Sequence, residues 1–334
     1  EMMRRMHETA DISYDVSSIL NRGCRDYQED AIATDFSLGA EFGYAVLSDG
    51  MGGHAAGDVA SKIVVTEVFS ELKFQSSNVS KLAENMGHVL KSAAISANEC
   101  MAAHASTNPQ TAGMGATLVA PVFIRDSLYW ISIGDSPLYL LRNGTLRQLN
   151  EDHSLGPHID YMVRSGMMSE DVGRNHPDRS ALTSVLIGET IERIDCPDRP
   201  FKLRDNDILV ASSDGLQFLT NAQISETLKE NADEDSATIA ERLLDELRDL
   251  NDPEQDNISF SVVKVAIASA EGDAPNVFTP EFERQESRPP RVTTRPIKPE
   301  DVQEPVAVRA TEPRTGKEEP IFLRRKWLAA DGGA

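Results

Sequence analysis

The sequence predicts a fold of mixed α and β structure, of the α+β class, for most of this 334-residue chain. Short apolar runs such as 42–48 are bounded by Gly, Asp and Asn, which is typical of buried strands. Two longer segments, 57–72 and 80–104, carry apolar residues at helical spacing. After about residue 268 the composition changes, so the folded domain is expected to end there.

The first half of the domain is predicted to begin with strands and continue with helices. Strands are expected at 16–20, 31–36 and 42–48, and helices at 57–72 and 80–104. The second and third strands are expected to form a hairpin that ends at Asp49. The first twelve residues show no such pattern and are expected to be a frayed terminus, 1–12.

The second half alternates strands and helices around one irregular segment. Strands are predicted at 118–124, 128–133, 138–142, 145–149, 207–212 and 258–267, and helices at 222–230 and 236–251. The pair Asn143-Gly144 predicts a tight hairpin turn, and Thr220 is a candidate helix cap. Residues 151–188 break the strand rhythm, with one helical piece near 161–165; such long inserts are usually lids or disordered.

The tail, 268–334, contains about half of the prolines of the chain and few apolar residues. Such a composition cannot offset chain entropy by burial, so we expect disorder and place the folded domain at 13–267. Within the tail, 320–328 (PIFLRRKWL) is an apolar and basic cluster. It is either a docking peptide or a terminus that happens to carry two aromatic residues.

Composition limits the partners and the compartment. The formal charge of −21 argues against nucleic acid as a partner, because phosphate backbones require a basic surface. Three scattered cysteines without a CxxC pair fit a reducing compartment. The chain shows neither a signal-peptide pattern after Met2 nor an apolar window of membrane-spanning length. We therefore expect a cytoplasmic protein.

The chemistry of the chain is predicted to centre on Tyr44 to Gly57, reading YAVLSDGMGGHAAG, where an apolar run delivers Asp49 into a glycine-rich stretch. Glycines allow a ligand to approach the backbone closely, and oxygen donors suit Mg²⁺ and Mn²⁺. Alone, this pattern is equally that of an ordinary hairpin corner. Further carboxylates lie next to apolar runs, at Glu29, Asp30, Asp135, Asp214 and Asp256. If they converge, metal ions are needed to neutralise them.

These motifs occur in a characteristic order: RDYQED at 25–30, DG at 49–50, GDS at 134–136, DG at 214–215 and DN at 256–257. In this order the chain resembles the metal-dependent type 2C (PPM) serine/threonine protein phosphatases of bacterial type, from about residue 16 to 265. The resemblance implies a four-layer α-β-β-α sandwich of two antiparallel sheets flanked by helices. It also implies hydrolysis of phosphoserine and phosphothreonine on proteins, with two Mn²⁺ or Mg²⁺ ions and a third, more weakly held.

The same resemblance implies a role for each site residue. Asp49 would bridge the two ions and the Gly50 carbonyl would bind one. Asp214 and Asp256 would complete one ion's shell, and Glu29 and Asp30 the other's, Asp30 through water. Asp135 would contribute to the third ion. Arg25 would clamp the substrate phosphate, unless it is merely paired with its own neighbouring carboxylates. Residues 151–188 would form the flap that shapes access for protein substrates.

Some positions depart from the family pattern. Met51 stands where eukaryotic relatives carry a histidine, and Pro137 where an arginine is usual. Ser180 and Ser184 replace residues that are often Asn and Arg in bacterial relatives. These changes leave every metal carboxylate in place and bear on substrate preference. His153 lacks metal-ligand spacing and is interpreted as structural.

Two other functions agree with part of the sequence. A catalytically silent member of the fold could serve as a binding module in a kinase-linked regulatory system, but it would be expected to lack metal carboxylates. A metal-dependent nuclease would share the carboxylates but conflicts with the acidic surface. The expected partners are phosphorylated proteins, substrates of a Ser/Thr kinase; the sequence selects no pathway and no partner for the tail.

Overall fold

A computed structural model describes residues 12–37, 41–53 and 55–268. The predictions for the frayed N-terminus, apart from Ile12, and for the tail with its candidate docking peptide at 320–328 lie outside the described residues. Ile12 itself belongs to the first strand, which was expected to begin at residue 16.

The described residues form eleven strands and six α-helices. The strands are β1 (Ile12–Asn21), β2 (Asp30–Phe36), β3 (Phe42–Met51), β4 (Gly115–Ala116), β5 (Leu118–Ile124), β6 (Ser127–Ile133), β7 (Leu138–Arg142), β8 (Thr145–Gln148), β9 (Phe201–Lys202), β10 (Ile208–Ser212) and β11 (Ile258–Ile267). The helices are α1 (Ala55–Gln75), α2 (Val79–Thr107), α3 (Gly156–Arg164), α4 (Glu170–Arg174), α5 (Asn221–Glu230) and α6 (Ser236–Asp249).

The strands assemble into two antiparallel sheets. One has the order β1-β11-β10-β7-β8, and the other has the order β2-β3-β5-β6-β9, with β4 paired to β3. In the first sheet, the N-terminal β1 pairs with the C-terminal β11 along its whole length, from Ile12↔Ile267 to Asn21↔Ile258. This pairing brings the loop after β1 next to the residues that precede β11.

Three apolar clusters separate four layers. Leu47, Phe123 and Val263 belong to a cluster that the two sheets bury between them. A second cluster packs α1 and α2 on the outer face of the sheet that contains β3, and a third packs α5 and α6 on the outer face of the sheet that contains β10. The predicted α-β-β-α sandwich of the α+β class is confirmed.

Most predicted elements are present, with shifted ends. The turn at Asn143-Gly144 has φ of 50° and 72°, as the predicted tight hairpin requires, and Thr220 caps α5 in a capping box. The short β4, β9 and α4 were not predicted. The expectation that β3 ends before Asp49 is wrong: the strand continues to Met51 because Gly50 and Met51 pair with Ala116 and Gly115 of β4.

The irregular segment 151–188 contains α3 and α4, and the helical piece expected near 161–165 is α3. A bridge between Ser154 and Leu182 ties its two ends together. Along the described part of the chain, no helix combines the length and apolar character needed to cross a lipid bilayer.

Candidate metal and phosphate site

An open cleft of about 270 Å³ lies at the end of β3, where both sheets and the loop after β1 meet. It brings together most of the residues that the sequence singled out: Arg25, Glu29, Asp49, Gly50, Asp214 and Asp256. Its remaining lining is Met51, Gly52, Gly53, Gly113, Ser180, Phe218 and Asn257. Four carboxylates, Glu29, Asp49, Asp214 and Asp256, from four separate stretches of the chain therefore face one space.

Asp49 is held from both sides by Thr117. Its N–H donates to Thr117 Oγ1 at 3.0 Å, and the Thr117 N–H donates to the Asp49 carbonyl at 2.9 Å. Asp49 is 7% exposed and lies opposite Asp30 in the pairing of β3 with β2. This backbone clamp fixes the direction of the Asp49 side chain, which is the preorganisation that a ligand site needs.

Gly50 lies where the backbone passes close to the start of α1. Its N–H donates to the Glu29 carbonyl at 3.1 Å, and a Cβ at this position would lie 2.0 Å from the Gly57 carbonyl oxygen. A Cβ at Gly57 would in turn lie 2.3 Å from Glu29 Oε1. Both glycines are thus required for Glu29 to reach the cleft beside β3.

Arg25 pairs with a carboxylate from the other end of the domain. Its Nη2 lies 2.7 Å from Asp256 Oδ2, with the two side chains 54% and 26% exposed. The structure therefore pairs Arg25 with Asp256 and not with the neighbouring carboxylates of its own loop. The exposed part of the guanidinium can still offer donors to a phosphate, since the group carries five N–H donors.

Two predicted metal residues do not line the cleft. Asp30 is buried behind it, 4% exposed, and its Oδ2 accepts a 2.8 Å hydrogen bond from Ser259 Oγ. Asp135 follows β6 and is 6% exposed. It is linked to Asp49 indirectly, because the neighbouring Ser136 Oγ lies 2.7 Å from Thr117 Oγ1. The structure therefore places both carboxylates next to the cleft wall rather than in it.

Three of the carboxyl groups, those of Glu29, Asp30 and Asp256, have a raised pKa. Burial, and then the negative charge of Asp49, raises the pKa of Glu29 to about 7. The same two causes raise the pKa of Asp30 and of Asp256, whereas Arg25 acts in the opposite direction on Asp256. The charges are thus held close together at a cost in free energy that a cation would offset.

The donor set fits a divalent cation. Glu29 Oε1 is buried and accepts no hydrogen bond from any described residue, so it is available as a ligand. Carboxylate and carbonyl oxygens are the donors that Mg²⁺ and Mn²⁺ prefer. Within 12–37, 41–53 and 55–268, however, no three acidic, His or Cys side chains gather tightly enough to enclose an ion. The oxygen donors therefore fit ions that are bound between separate walls of the cleft.

Several residues that form or support the cleft could not be predicted from the sequence. Thr117 carries no motif of its own in the sequence, and Asn257 belongs to one only as the residue after Asp256. Phe218 carried no signal, because an apolar residue beyond a strand end is usually core. The adjacent Asp-Asn pair is the one feature that could have pointed to Asn257, since asparagine often bonds backbone groups of a nearby loop.

His153 lies behind the Asp135 turn and is fully buried. The Gly134 N–H donates to His153 Nδ1 at 3.2 Å, so the ring proton resides on Nε2, 3.6 Å from Glu151 Oε2. Burial and then the charge of Arg193 lower the pKa of His153, while Glu151 and Asp195 oppose that shift. The imidazole is therefore a neutral structural group, in agreement with its interpretation from the sequence.

His153 is expected to make folding depend on pH. Because its folded pKa lies below the unfolded value of about 6.5, the unfolded chain binds more protons as pH falls below 6.5. The stability that His153 contributes is thus complete above pH 6.5 and is lost as pH falls toward the folded pKa. In urea unfolding, His153→Gln should cost roughly 1–3 kcal/mol at pH 7.5 and less at pH 5.5. His88→Gln, at an exposed position of α2, is the control. A cost that stays constant or grows at pH 5.5 would show the assignment to be wrong.

Comparison with known proteins agrees with this fold and cleft. The family model described as Protein phosphatase 2C matches residues 26–253. The chain is 34% identical over 185 residues to the serine/threonine phosphatase stp of Listeria welshimeri, covering 55% of this chain and 71% of that protein.

Solved structures agree as well. The serine/threonine phosphatase PstP/Ppp of Mycobacterium tuberculosis superposes with a TM-score of 0.61 at 28% identity, covering 76% of this chain and 98% of that one. Stp1 of Staphylococcus aureus gives a TM-score of 0.62 at 26% identity, covering 81% and 100%. A structure of the PstP catalytic domain was solved in complex with two manganese ions.

The two-sheet sandwich with a carboxylate cleft at its rim is the architecture of the bacterial PPM-type phosphatases. The chain belongs to the protein phosphatase 2C family and is, as a member of it, a serine/threonine protein phosphatase.

Proposed function

We propose that this chain hydrolyses phosphoserine and phosphothreonine on proteins by in-line attack of water in a site for two Mn²⁺ or Mg²⁺ ions. The observation that carries the proposal is one cleft in which the Arg25 guanidinium stands beside four carboxylates, two of which, Glu29 and Asp256, have raised pKa values. The manganese in the related PstP structure supports the choice of metal. When bound, the ions would supply a water of lowered pKa and positive charge for the phosphoryl oxygens.

The proposed ligands are the residues that face the cleft: Asp49, Glu29, Asp214 and Asp256, with the Gly50 carbonyl. Asp30 and Asp135 are proposed to act from behind the wall, Asp30 through water and Asp135 toward a third, weaker ion. Their burial next to Asp49, through β-pairing and through Thr117, supports that arrangement. All six carboxylates are present, which disfavours a catalytically silent binding module.

Arg25 is proposed to orient the substrate phosphate. Its side chain is half exposed at the rim, so one edge of the guanidinium can bind phosphoryl oxygens while the other contacts Asp256. No imidazole lines the cleft among the described residues, and Met51 has no proton to donate. The leaving serine or threonine oxygen is therefore proposed to take its proton from water.

The proposed partners are phosphorylated proteins, in a reducing, cytoplasmic compartment. The three cysteines, Cys24, Cys100 and Cys196, are all free thiols, which supports a reducing environment. The flap at 151–188 contributes Ser180 to the cleft lining, and this supports a role in access of substrates.

The test is phosphate release from phosphoserine, phosphothreonine and phosphotyrosine peptides, with Mn²⁺ titrated against EDTA. We expect manganese-dependent release from the first two peptides and at least about tenfold slower release from the third. p-Nitrophenyl phosphate serves as a substrate that lacks a peptide. A folded protein that binds Mn²⁺ by calorimetry but releases no phosphate would favour the silent module instead.

A further inference from the structure

The loop that carries Arg25 and Glu29 is seated on the residues that lead into β11. Gly23 has φ of +62°, and a Cβ there would lie 2.1 Å from the Asp256 carbonyl oxygen. The Cys24 N–H donates to the Gln255 carbonyl at 3.0 Å. The backbone of the loop 22–29 is therefore in direct contact with the backbone around Asp256.

One side chain makes most of the polar contacts between the two segments. Asn257 is 3% exposed, and its Oδ1 accepts a 2.7 Å hydrogen bond from the Glu29 N–H. Its Nδ2 donates to the carbonyls of Arg22 at 2.8 Å and of Tyr27 at 2.9 Å. Both amide donors and the acceptor are thus used, on both sides of Arg25 in the loop.

Asn257 is itself held rigidly. Its N–H donates to Asp256 Oδ1 at 2.8 Å, which also orients that carboxylate. On its other side, a Cβ at Gly215 would lie 1.9 Å from the Asn257 carbonyl oxygen, so the turn after Asp214 packs directly against it. Asn257 therefore joins three stretches that contribute to the cleft: the loop 22–29, the turn at 214–215 and Asp256.

We propose that Asn257 is a positioning residue that sets Arg25 and Glu29 at their working places relative to Asp256. The proposal rests on the proposed function, because it assigns Arg25 to phosphate and Glu29 to metal. Both residues lie outside the strands: the Glu29 carbonyl accepts from the Gly50 N–H, and the Asn257 amide holds the Glu29 N–H and the loop backbone on both sides of Arg25. Displacement of a binding group by about 1 Å can cost on the order of 100-fold in rate.

The chemistry of the site requires an amide. An aspartate at 257 would still accept from the Glu29 N–H but would place an oxygen against the Arg22 and Tyr27 carbonyls. An alanine would remove all three hydrogen bonds to the loop backbone. Asn257→Asp therefore removes the two donated bonds and adds a negative charge, whereas Asn257→Ala removes all three bonds without adding a charge.

Asn98 provides a matched control. It is 8% exposed on α2, accepts from the N–H groups of Ile187 and Gly188, and donates to the Glu189 carbonyl. It thus fixes residues 187–189, at the C-terminal end of the flap, with the same number of bonds, and none of these residues lines the cleft. Asn98→Ala and Asn98→Asp should lower the melting temperature without changing the site.

The experiment measures all four variants in the full chain. For both Asn257 variants we expect kcat/KM on a phosphothreonine peptide to fall on the order of 10- to 100-fold, with a raised KM. For Asn257→Ala we also expect a higher half-saturating Mn²⁺ concentration, measured by the Mn²⁺-induced thermal shift. Hydrogen exchange of the peptide 22–30 should accelerate in the Asn257 variants and not in the Asn98 variants.

Several outcomes would overturn the proposal. One is a folded Asn257 variant with wild-type KM, metal response and exchange of 22–30. Another is an equal loss of kcat/KM in the Asn98 variants, which would mean a general effect of stability. Asn257→Asp keeps the side-chain volume and the Glu29 bond, so it carries the test if Asn257→Ala does not fold. If the wild type releases no phosphate, the proposed function fails, and hydrogen exchange and the metal response still decide the role of Asn257.

Discussion

Asp49→Asn is expected to reduce Mn²⁺-dependent turnover by about 1000-fold or more while making the metal-free protein more stable. The loss follows because Asp49 is the carboxylate at the centre of the cleft, held in place by Thr117. The gain in stability is expected because the negative charge of Asp49 is one cause of the raised pKa of Glu29, Asp30 and Asp256. One substitution should thus move activity and stability in opposite directions.

The predicted gain in stability of the metal-free variant follows from proton linkage. Because the folded pKa of each of these three carboxyls is raised, the folded protein binds more protons than the unfolded chain above about pH 4. Their contribution to stability is present below that pH and is lost as pH rises, for Glu29 through about 7. At pH 7.5 most Glu29 carboxyls of the metal-free wild type are ionised and repel the charge of Asp49. Removing the charge of Asp49 should raise the melting temperature by roughly 3–6 °C.

The measurement is thermal unfolding at pH 5.5 and 7.5, in EDTA and in Mn²⁺. The wild type should gain stability from Mn²⁺ at pH 7.5, and Asp49→Asn should gain little. Asp35→Asn is the control, since Asp35 is a half-buried carboxylate paired with Lys73 at 2.7 Å and does not line the cleft. If Asp49→Asn melts at or below the wild-type temperature in EDTA, the carboxylates do not repel as described.

The sequence predicted which carboxylates come together better than it predicted which of them line the cleft. Asp49, Asp214 and Asp256 could be placed at one rim, because each adjoins an apolar strand. Glu29 and Asp30 could not be told apart, although one faces the cleft and the other is buried against Ser259. Asp30 begins β2 whereas Glu29 belongs to the loop before it, so only the assembled structure decides which of the two lines the cleft.

The contacts that join distant parts of the chain could not be predicted at all. The pairs Arg25–Asp256 and Glu29–Asn257 join residues 231 and 228 positions apart. Both depend on the register in which Asn21 pairs with Ile258, and a slip of one residue would turn every side chain of β1 to the other face. Register is set by the burial of both sheet faces together, which is a property of the assembled sandwich rather than of any motif.

Arg25→Ala is expected to raise the KM for a phosphothreonine peptide on the order of 10- to 100-fold without weakening Mn²⁺ binding. The guanidinium lowers the pKa of Asp256 and of Glu29, but it is also a positive charge beside the proposed metal ligands. Its removal takes away a phosphate donor and a source of repulsion toward cations. The half-saturating Mn²⁺ concentration should therefore stay the same or fall.

Arg25→Lys separates charge from shape. A lysine keeps the positive charge but loses the planar fork, so its KM should lie between those of the wild type and Arg25→Ala. Arg193→Ala is the matched control, because Arg193 is equally exposed and pairs with Glu151 at 3.0 Å without lining the cleft. If Arg25→Ala changes KM no more than Arg193→Ala does, the 2.7 Å pair with Asp256 is a structural ion pair and the phosphate is bound by other groups. A KM that rises only for Arg25 variants, with metal binding intact, would assign the guanidinium to the substrate.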